Sequence, residues 1–228
     1  MRIGIIAALP GELKPMVGRA AHMPVVPGSG ISMWCWAVEG HDVVAVCAGM
    51  GAAAARRAFT AAEFSGSLDM ALSIGWAGAL TAPMTPGHAY GVSEIIDAQT
   101  GERFTANPEG ERLVTSIQVA SPVEKARLRS TYQASLVDME ASVVARLAQM
   151  RGIPMHCFKG VSDGVTANLP DLNPHIRIDG TLHMGRFLAH VAQRPHHWRP
   201  LVHLGRNSAA AAKSLSHLVN GFLTKAGS

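Results

Sequence analysis

The chain has 228 residues, of which 48% are hydrophobic and 16% charged, so it can bury one sizeable core and is too apolar to be disordered. Every apolar run is interrupted well before the length of a membrane-spanning helix, which excludes a transmembrane protein. The net charge of +4 identifies no partner, and the 5% aromatic content without a Lys/Arg cluster argues against nucleic-acid binding.

The first twelve residues and the cysteines bear on where the protein resides. The N-terminal segment carries one positive charge and a short apolar run without a small-residue cleavage site, so we expect no export signal. Cys35, Cys47 and Cys157 stand singly, without the even number or close spacing of a disulfide framework or a zinc site. Both features predict a protein of the reducing cytoplasm.

Short β-branched segments alternate with longer alanine-rich segments, which predicts an α/β fold with a mostly parallel sheet covered on both faces. The predicted strands comprise residues 2–8, 33–38, 42–48, 70–75, 89–98, 113–119, 135–137 and 155–160. The predicted helices comprise residues 12–19, 52–64, 122–130, 139–151, 180–193 and 208–223. Residues 194–200 contain two prolines and predict a linker or corner. We expect a single domain over residues 1–228 with a C-terminal helical extension over about 195–228.

A glycine-rich segment, Gly49-Met50-Gly51, follows a predicted strand and opens a predicted helix, where backbone N–H groups can face an anion. The spacing loosely fits a dinucleotide-binding fingerprint. However, Asp69 precedes the next strand and no acidic residue closes it, so we reject that interpretation. Two interpretations stay open: contact with an anion or a sugar, or small residues that let the helix pack closely on the sheet.

Acidic residues follow several predicted strands, and ligands of open parallel sheets bind at the carboxyl ends of strands. Glu12, Asp138, Glu140 and Asp163 each lie just beyond a strand. Taken singly, each is explained as a helix cap, a turn former or a partner of a helix dipole. Taken together, they predict a cleft in which several carboxylates surround a glycine-lined floor.

Five segments carry a resemblance to a known family by their order and spacing. They are Ile3-Gly4-Ile5-Ile6-Ala7-Ala8 through Glu12, Ala48-Gly49-Met50-Gly51, Gly75-Trp76-Ala77-Gly78, Val137-Asp138-Met139-Glu140-Ala141 and Val161-Ser162-Asp163. The chain resembles the nucleoside phosphorylase superfamily, in particular the methylthioadenosine/S-adenosylhomocysteine nucleosidases and the hopanoid-associated phosphorylases. The resemblance implies a three-layer α/β/α sandwich with a mixed, partly barrel-like sheet, and cleavage of the bond between a ribose and a nucleobase. It also implies a homo-oligomer, a dimer as in most of the nucleosidases.

Breaking an N-glycosidic bond builds positive charge on the sugar and negative charge on the departing purine. The resemblance implies that Asp163, in a partly desolvated pocket, protonates purine N7, that Ser162 supports its loop, and that adenine leaves. It implies likewise that Glu140 accepts hydrogen bonds from the ribose hydroxyls and that Met139 packs under the sugar. Glu12 stands where the nucleosidases activate the attacking water.

Trp76 departs from the family pattern, because close relatives place a small or hydroxyl residue between these two turn glycines. Its ring either stacks on a base, closes the sugar pocket or packs under the turn. Gly49, Gly51 and Gly75 are further candidates for substrate contact. Phe104 is a candidate to stack on adenine, with a core position as the alternative.

The nucleophile is either water or phosphate, and the absence of a Gly-x-Pro-x-Arg phosphate-binding segment at the position of Glu12 favours water. Phosphate is the co-substrate if the protein is a phosphorylase. Arg56, Arg57, Arg103 and Lys159 are the cations available to it or to a substrate carboxylate. The eleven histidines lack the spacing of a zinc motif, so we expect no metal and no cofactor.

We therefore expect a purine nucleosidase that acts on a small-molecule adenine nucleoside. The first alternative is a phosphorylase, including a hopanoid-associated one acting on adenosylhopane. The second is a noncatalytic nucleoside-binding protein, against which the set of carboxylates argues. The apolar face of residues 208–223 predicts core packing or a dimer contact, and contact with a membrane surface is its minor alternative.

Overall fold

The computed structural model describes residues 1–18, 20–167 and 198–226. Its strands are β1 (Arg2–Ala7), β2 (Ala21–His22), β3 (Ser32–Val38), β4 (His41–Cys47), β5 (Met70–Ala79), β6 (Ala89–Asp97), β7 (Arg103–Thr105), β8 (Glu111–Thr115), β9 (Leu136–Asp138) and β10 (Met155–Asp163). Its helices are α1 (Pro10–Leu13), α2 (Ala52–Phe64), α3 (Pro122–Tyr132), α4 (Ala141–Arg151) and α5 (Trp198–Ala226).

The described strands form one mixed sheet that closes on itself at one end. β1 lies between β4 and β5 and pairs in parallel with both, and β3 and β2 extend the sheet beyond β4 by antiparallel pairing. β5 also pairs in parallel with β10, and the pairings from β10 through β6, β8, β9 and β5 return to β10. The result is a five-stranded barrel, which confirms the predicted mixed, partly barrel-like sheet.

The core lies on both faces of the sheet, because successive side chains of a strand point to opposite faces. Ile3 and Ile5 of β1 belong to one buried cluster, and Ile6 belongs to the other. The first cluster also holds Leu13 of α1 and Leu215 of α5, whereas the second holds the buried alanines of α2 and α4. Helices therefore cover both faces, as the α/β/α sandwich requires.

Most predicted elements are confirmed, with shifted ends. α2 has the predicted bounds, whereas β5 and β10 run on to Ala79 and Asp163 because their extensions pair within the barrel. α1 ends at Leu13, because Pro15 has no N–H with which to continue the helical hydrogen bonds, although Lys14 before it still has helical backbone angles. β2 and β7 were not predicted, because segments of two or three residues carry no periodic pattern.

α5 corrects the predicted C-terminal organisation. It begins inside the predicted linker 194–200, where a proline in the first turn is compatible with a helix. It packs closely against β10, since a Cβ at Gly160 would lie 2.9 Å from the carbonyl oxygen of Ala211. The sequence predicts an apolar helical face of Ala211, Leu215, Leu218, Val219 and Phe222. Ala211 is buried as predicted, whereas Leu218 is 36% exposed.

Part of the C-terminal prediction lies outside the described residues, namely the helix at 180–193 and the linker residues 194–197. The single-domain organisation with its C-terminal extension stays a prediction. None of the described helices combines the length and apolar character needed to cross a bilayer.

Candidate active site

A cavity of about 270 Å³ lies at the carboxyl ends of the parallel strands β1, β5 and β10, and the end of β9, which pairs antiparallel with β5, also lines it. The loop of residues 118–120 and the N-terminal half of α5 complete its described walls. Six of the predicted site residues line it: Glu12, Trp76, Met139, Glu140, Ser162 and Asp163.

Glu12 is held rigidly by three backbone N–H groups. Its Oε2 accepts hydrogen bonds from the N–H groups of Ala8 (2.8 Å) and Leu9 (2.9 Å), and its Oε1 accepts one from Trp76 (2.8 Å). Gly75 makes room for this carboxylate, because it has a φ of +147° and a Cβ there would lie 2.8 Å from Oε1. Burial raises the pKa of Glu12, and the hydrogen bonds from the N–H groups oppose that rise. The result is a fixed, basic carboxyl group on the cavity wall.

Glu140 is the second carboxyl group of the cavity and the N-cap residue of α4. Its Oε1 accepts a hydrogen bond from the Gly51 N–H at 2.6 Å, and its Oε2 accepts one from the Met139 N–H at 3.2 Å. Gly51 has a φ of +82°, a conformation that favours glycine. Burial and then the charge of Asp138 raise the pKa of Glu140 to about 7, against the opposing charge of Lys159.

A buried ion pair adjoins Glu140. The Lys159 Nζ lies 2.9 Å from Oδ2 of Asp138, which also accepts a hydrogen bond from the Ala141 N–H, and Oδ1 accepts one from the Thr115 hydroxyl. Burial alone would lower the pKa of Lys159, but the surrounding negative charges, Asp138 first, raise it overall. Lys159 is therefore bound to Asp138, which corrects its prediction as an anion ligand.

Asp163 ends β10 and carries two polar partners. Its Oδ1 accepts a hydrogen bond from the Ser162 hydroxyl at 2.6 Å, and its Oδ2 forms an ion pair with the Lys125 ammonium group. Lys125 also donates to the Gly164 carbonyl oxygen at 2.7 Å. The Lys125 side chain is only 2% exposed, so a buried ammonium group adjoins the predicted acid.

Trp76 connects the cavity to α5. Its indole Nε1 donates to the carbonyl oxygen of Ser208 at 3.0 Å, and its ring packs so closely on Gly11 that a Cβ there would lie 2.9 Å from the ring. Leu201 and Leu204 of α5 line the same cavity. Of the three roles predicted for Trp76, closing the pocket is the one that this geometry supports.

Four predicted contact residues are not part of the cavity lining: Gly75, which makes room for Glu12, and Phe104, Gly49 and Gly51. Phe104 is buried in the core, with the guanidinium of Arg146 5.7 Å from its ring centre, so we correct its role from stacking on adenine to core packing. Gly49 and Gly51 both adopt positive φ in the loop before α2. The N–H of Gly51 holds Glu140, so the loop positions a carboxylate of the protein.

The arginines predicted as anion ligands are not part of the cavity lining. Arg103 forms an ion pair with Glu94, Arg57 donates to a backbone carbonyl, and Arg56 is exposed. Among the described lining residues, Lys125 is the only cationic one. Over the same described ranges, no group of three or more His, Cys, Asp or Glu side chains is arranged to hold a metal ion.

Sequence reasoning missed Lys125, Leu201 and Leu204. α3 was predicted, and its Ser121 cap and Pro122 fix where it begins, but no local pattern marks one lysine of a polar helix as a cavity residue. Leu201 and Leu204 lie between the predicted linker 194–200 and the predicted helix 208–223. Only the fold brings these three residues to the cavity.

A sequence profile of the phosphorylase superfamily matches residues 2–122 and 114–182. The chain belongs to this superfamily. It is accordingly an enzyme of the nucleosidase and phosphorylase kind. A search of curated proteins found no match.

Solved structures of nucleosidases share the fold of this phosphorylase-superfamily member. The 5′-methylthioadenosine/S-adenosylhomocysteine nucleosidase of Helicobacter pylori is 14% identical, with a TM-score of 0.73 over 99% of this chain and 98% of that one. Futalosine hydrolase of the same organism is 14% identical, with a TM-score of 0.73 over 99% of this chain and 98% of that one. The 5′-methylthioadenosine/S-adenosylhomocysteine nucleosidase of S. pneumoniae is 19% identical, with a TM-score of 0.71 over 98% of this chain and 99% of that one.

Proposed function

We propose that this superfamily member hydrolyses the N-glycosidic bond of a purine nucleoside and that adenine is the base released. One observation carries the proposal: Glu12, Glu140 and Asp163 come from three separate segments of the chain and line a single cavity. Cleavage of this bond needs an acid at the base, oriented oxygens at the sugar and a base for the nucleophile. Three carboxyl groups in one mostly apolar cavity supply these functions.

Each carboxyl group has an environment that suits one role. Glu12 is fixed and made more basic by burial, so we assign it to take the proton of the attacking water. Glu140, with Met139 beside it, is assigned to the ribose hydroxyls and to the positive charge that develops on the sugar. Asp163, with Ser162 on one oxygen, is assigned to the departing base.

Water as the nucleophile is supported by the charges of the described cavity. A phosphate dianion requires cationic or N–H donors, whereas the N–H groups of Ala8, Leu9 and Trp76 are already bound to Glu12. The one cationic side chain of the described lining, Lys125, is bound to Asp163. We therefore propose a hydrolase that needs neither phosphate nor a cofactor.

The direct test is to incubate the purified protein with adenosine, methylthioadenosine, S-adenosylhomocysteine and inosine in phosphate-free buffer. We expect free adenine from at least one of the adenine nucleosides, measured by chromatography, and slower release of hypoxanthine from inosine. No free base from any substrate, with or without added phosphate, would contradict the proposal.

Replacing Glu140 with glutamine is expected to raise KM and lower kcat, together reducing kcat/KM by roughly 100-fold, because the charge-assisted bonds to the ribose hydroxyls are lost. The same substitution should reduce kcat/KM much less for a 2′,3′-dideoxynucleoside, because that substrate lacks those hydroxyls. Steady-state kinetics on the riboside and the dideoxy analogue measure the difference. An equal effect on both substrates would remove Glu140 from the ribose site.

The raised pKa of Glu140 predicts a pH dependence. Only the carboxylate form binds the ribose strongly, so kcat/KM should fall by about tenfold per pH unit below about pH 7. In E140Q this decrease in kcat/KM at low pH should be lost or shifted.

The raised pKa of Glu140 also affects stability, because between pH 4.5 and about 7 Glu140 keeps a proton in the folded protein that it releases in the unfolded chain. The Glu140 contribution to the unfolding free energy therefore decreases as pH rises from 4.5 to about 7. Denaturant melts of parent and E140Q across this range test the second effect.

We further propose a cytoplasmic homodimer. Ile117 and Val123 flank the cavity loop and are 66% and 80% exposed, which supports an apolar contact surface beside the site. The cysteines Cys35, Cys47 and Cys157 are all free thiols, which supports a reducing compartment. Light scattering coupled to gel filtration should give twice the chain mass of 24.0 kDa, and a monomer would contradict the dimer.

A further inference from the structure

Lys125 is the only cationic side chain among the described residues that line the cavity. It lies outside the five segments that carry the family resemblance. It comes from the second turn of α3, and its ammonium group reaches Asp163 at the end of β10. This contact joins a helix to the residue assigned to the departing base. The inference below rests on the proposed hydrolysis.

The hydrogen bonds of Asp163 show which groups adjoin its two carboxyl oxygens. Oδ1 accepts from the Ser162 hydroxyl and Oδ2 accepts from Lys125, so both oxygens already have donors. Two protons of the Lys125 ammonium group are engaged, one by Asp163 and one by the Gly164 carbonyl. With both Asp163 oxygens engaged, Lys125 is the cationic donor from which a proton can pass to Asp163.

Stability alone does not account for a buried lysine at this position. Removing an ammonium and a carboxylate group from water costs several kcal/mol per ion, and well-packed apolar side chains are often at least as stable. α3 is also anchored without Lys125, by buried Leu128 and by the Tyr132 hydroxyl, which donates to the Ala98 carbonyl at 3.0 Å. The pair instead lies where the departing base requires a proton.

We propose that Lys125 is a positioning residue that supplies, through Asp163, the proton taken up by the departing purine. As the C1′–N9 bond breaks, its electron pair moves to the purine, N7 receives a proton from the Asp163 carboxyl group, and Asp163 takes one from Lys125. Lys125 becomes a neutral amine. The attacking water forms the new C1′–O bond and gives a proton to Glu12, and solvent then returns Lys125 and Glu12 to their starting states.

The experiment compares two leaving groups in K125M. Adenine must be protonated to leave, whereas 4-nitrophenolate, released from 4-nitrophenyl β-D-ribofuranoside, leaves without a proton. We expect K125M to lower kcat for adenine release by roughly 100-fold or more and to cleave the nitrophenyl riboside within about threefold of the parent. R127M is the matched control, since Arg127 lies on the exposed face of α3, and it should leave both rates unchanged.

A second variant covers the case in which K125M does not fold. K125Q keeps a hydrogen-bond donor for Asp163 but carries no transferable proton, and the same separation between the two substrates is expected. In K125A, added ethylammonium should restore adenine release in proportion to its concentration. A lysine that only holds α3 in place predicts no such rescue.

Three results would overturn the inference. Adenine release by K125M within threefold of the parent would show that the proton does not come from Lys125. An equal loss on both substrates would show that Lys125 holds the site together. Failure of rescue in folded K125A would also contradict the proposal. If the parent cleaves neither substrate, the proposed hydrolysis itself fails, which is a separate outcome.

Discussion

D163N is expected to lower kcat for adenine release by roughly 10²- to 10⁴-fold, the range assigned to general acid catalysis. Asparagine keeps the volume of Asp163 but cannot pass a proton to the base. It also leaves the ammonium of Lys125 buried without its counter-charge, which lowers the free energy of unfolding by about 3 kcal/mol. The measurement is single-turnover adenine release, together with a thermal melt that confirms a folded variant at the assay temperature.

Two matched variants separate the chemistry of Asp163 from a general loss of stability. S162A removes one hydrogen bond to Asp163 and keeps the ion pair, so its rate should fall by only about tenfold. E109Q changes an exposed carboxyl group outside the cavity lining and should behave like the parent. Adenine release by folded D163N at the parental rate would exclude Asp163 from the mechanism.

E12Q is expected to lower kcat by roughly 10²- to 10⁴-fold, because the amide cannot accept the proton of the attacking water. Both oxygens of Glu12 accept backbone N–H groups, so the NH₂ of glutamine must face a donor on one side. That conflict lowers the free energy of unfolding by roughly 1–3 kcal/mol. Kinetics and a thermal melt on the same preparation measure both effects.

E12D gives the control for the E12Q result. Aspartate keeps the charge but withdraws the carboxylate by one methylene from the N–H groups of Leu9 and Trp76, so we expect a smaller loss than in E12Q. A folded E12Q that hydrolyses its substrate as fast as the parent would show that Glu12 does not activate water.

The placement of the three carboxyl groups could be predicted from the sequence because the strand pattern is local. The sequence predicts β1, β9 and β10 as strands, and Glu12, Glu140 and Asp163 follow or end them. β1 and β10 both pair in parallel with β5, which brings Glu12 and Asp163 to one edge, whereas β9 pairs antiparallel with β5 and brings Glu140 to the same cavity through its place in the barrel. The barrel closure between β5 and β10 is long-range, and the resemblance supplied it.

Residues that reach the cavity from elsewhere could not be predicted. Lys125 belongs to a polar helix whose two arginines, Arg127 and Arg129, are exposed, and only packing distinguishes Lys125 from them. Leu201 lies just after a proline that, in the sequence, indicates a linker, whereas the structure continues the helix through it. The prediction that Phe104 stacks on adenine was wrong for the opposite reason. Its segment resembles a loop in the sequence, but it pairs as β7, and Phe104 belongs to the core.

³¹P NMR of the reaction in excess phosphate distinguishes water from phosphate as the nucleophile. Glu12 bound to three N–H groups and the engagement of Lys125 by Asp163 predict that water attacks even when phosphate is abundant. We expect free sugar as the product, with adenine release unchanged by phosphate and no new phosphate ester signal. Stoichiometric formation of a sugar 1-phosphate would contradict it and make the enzyme a phosphorylase.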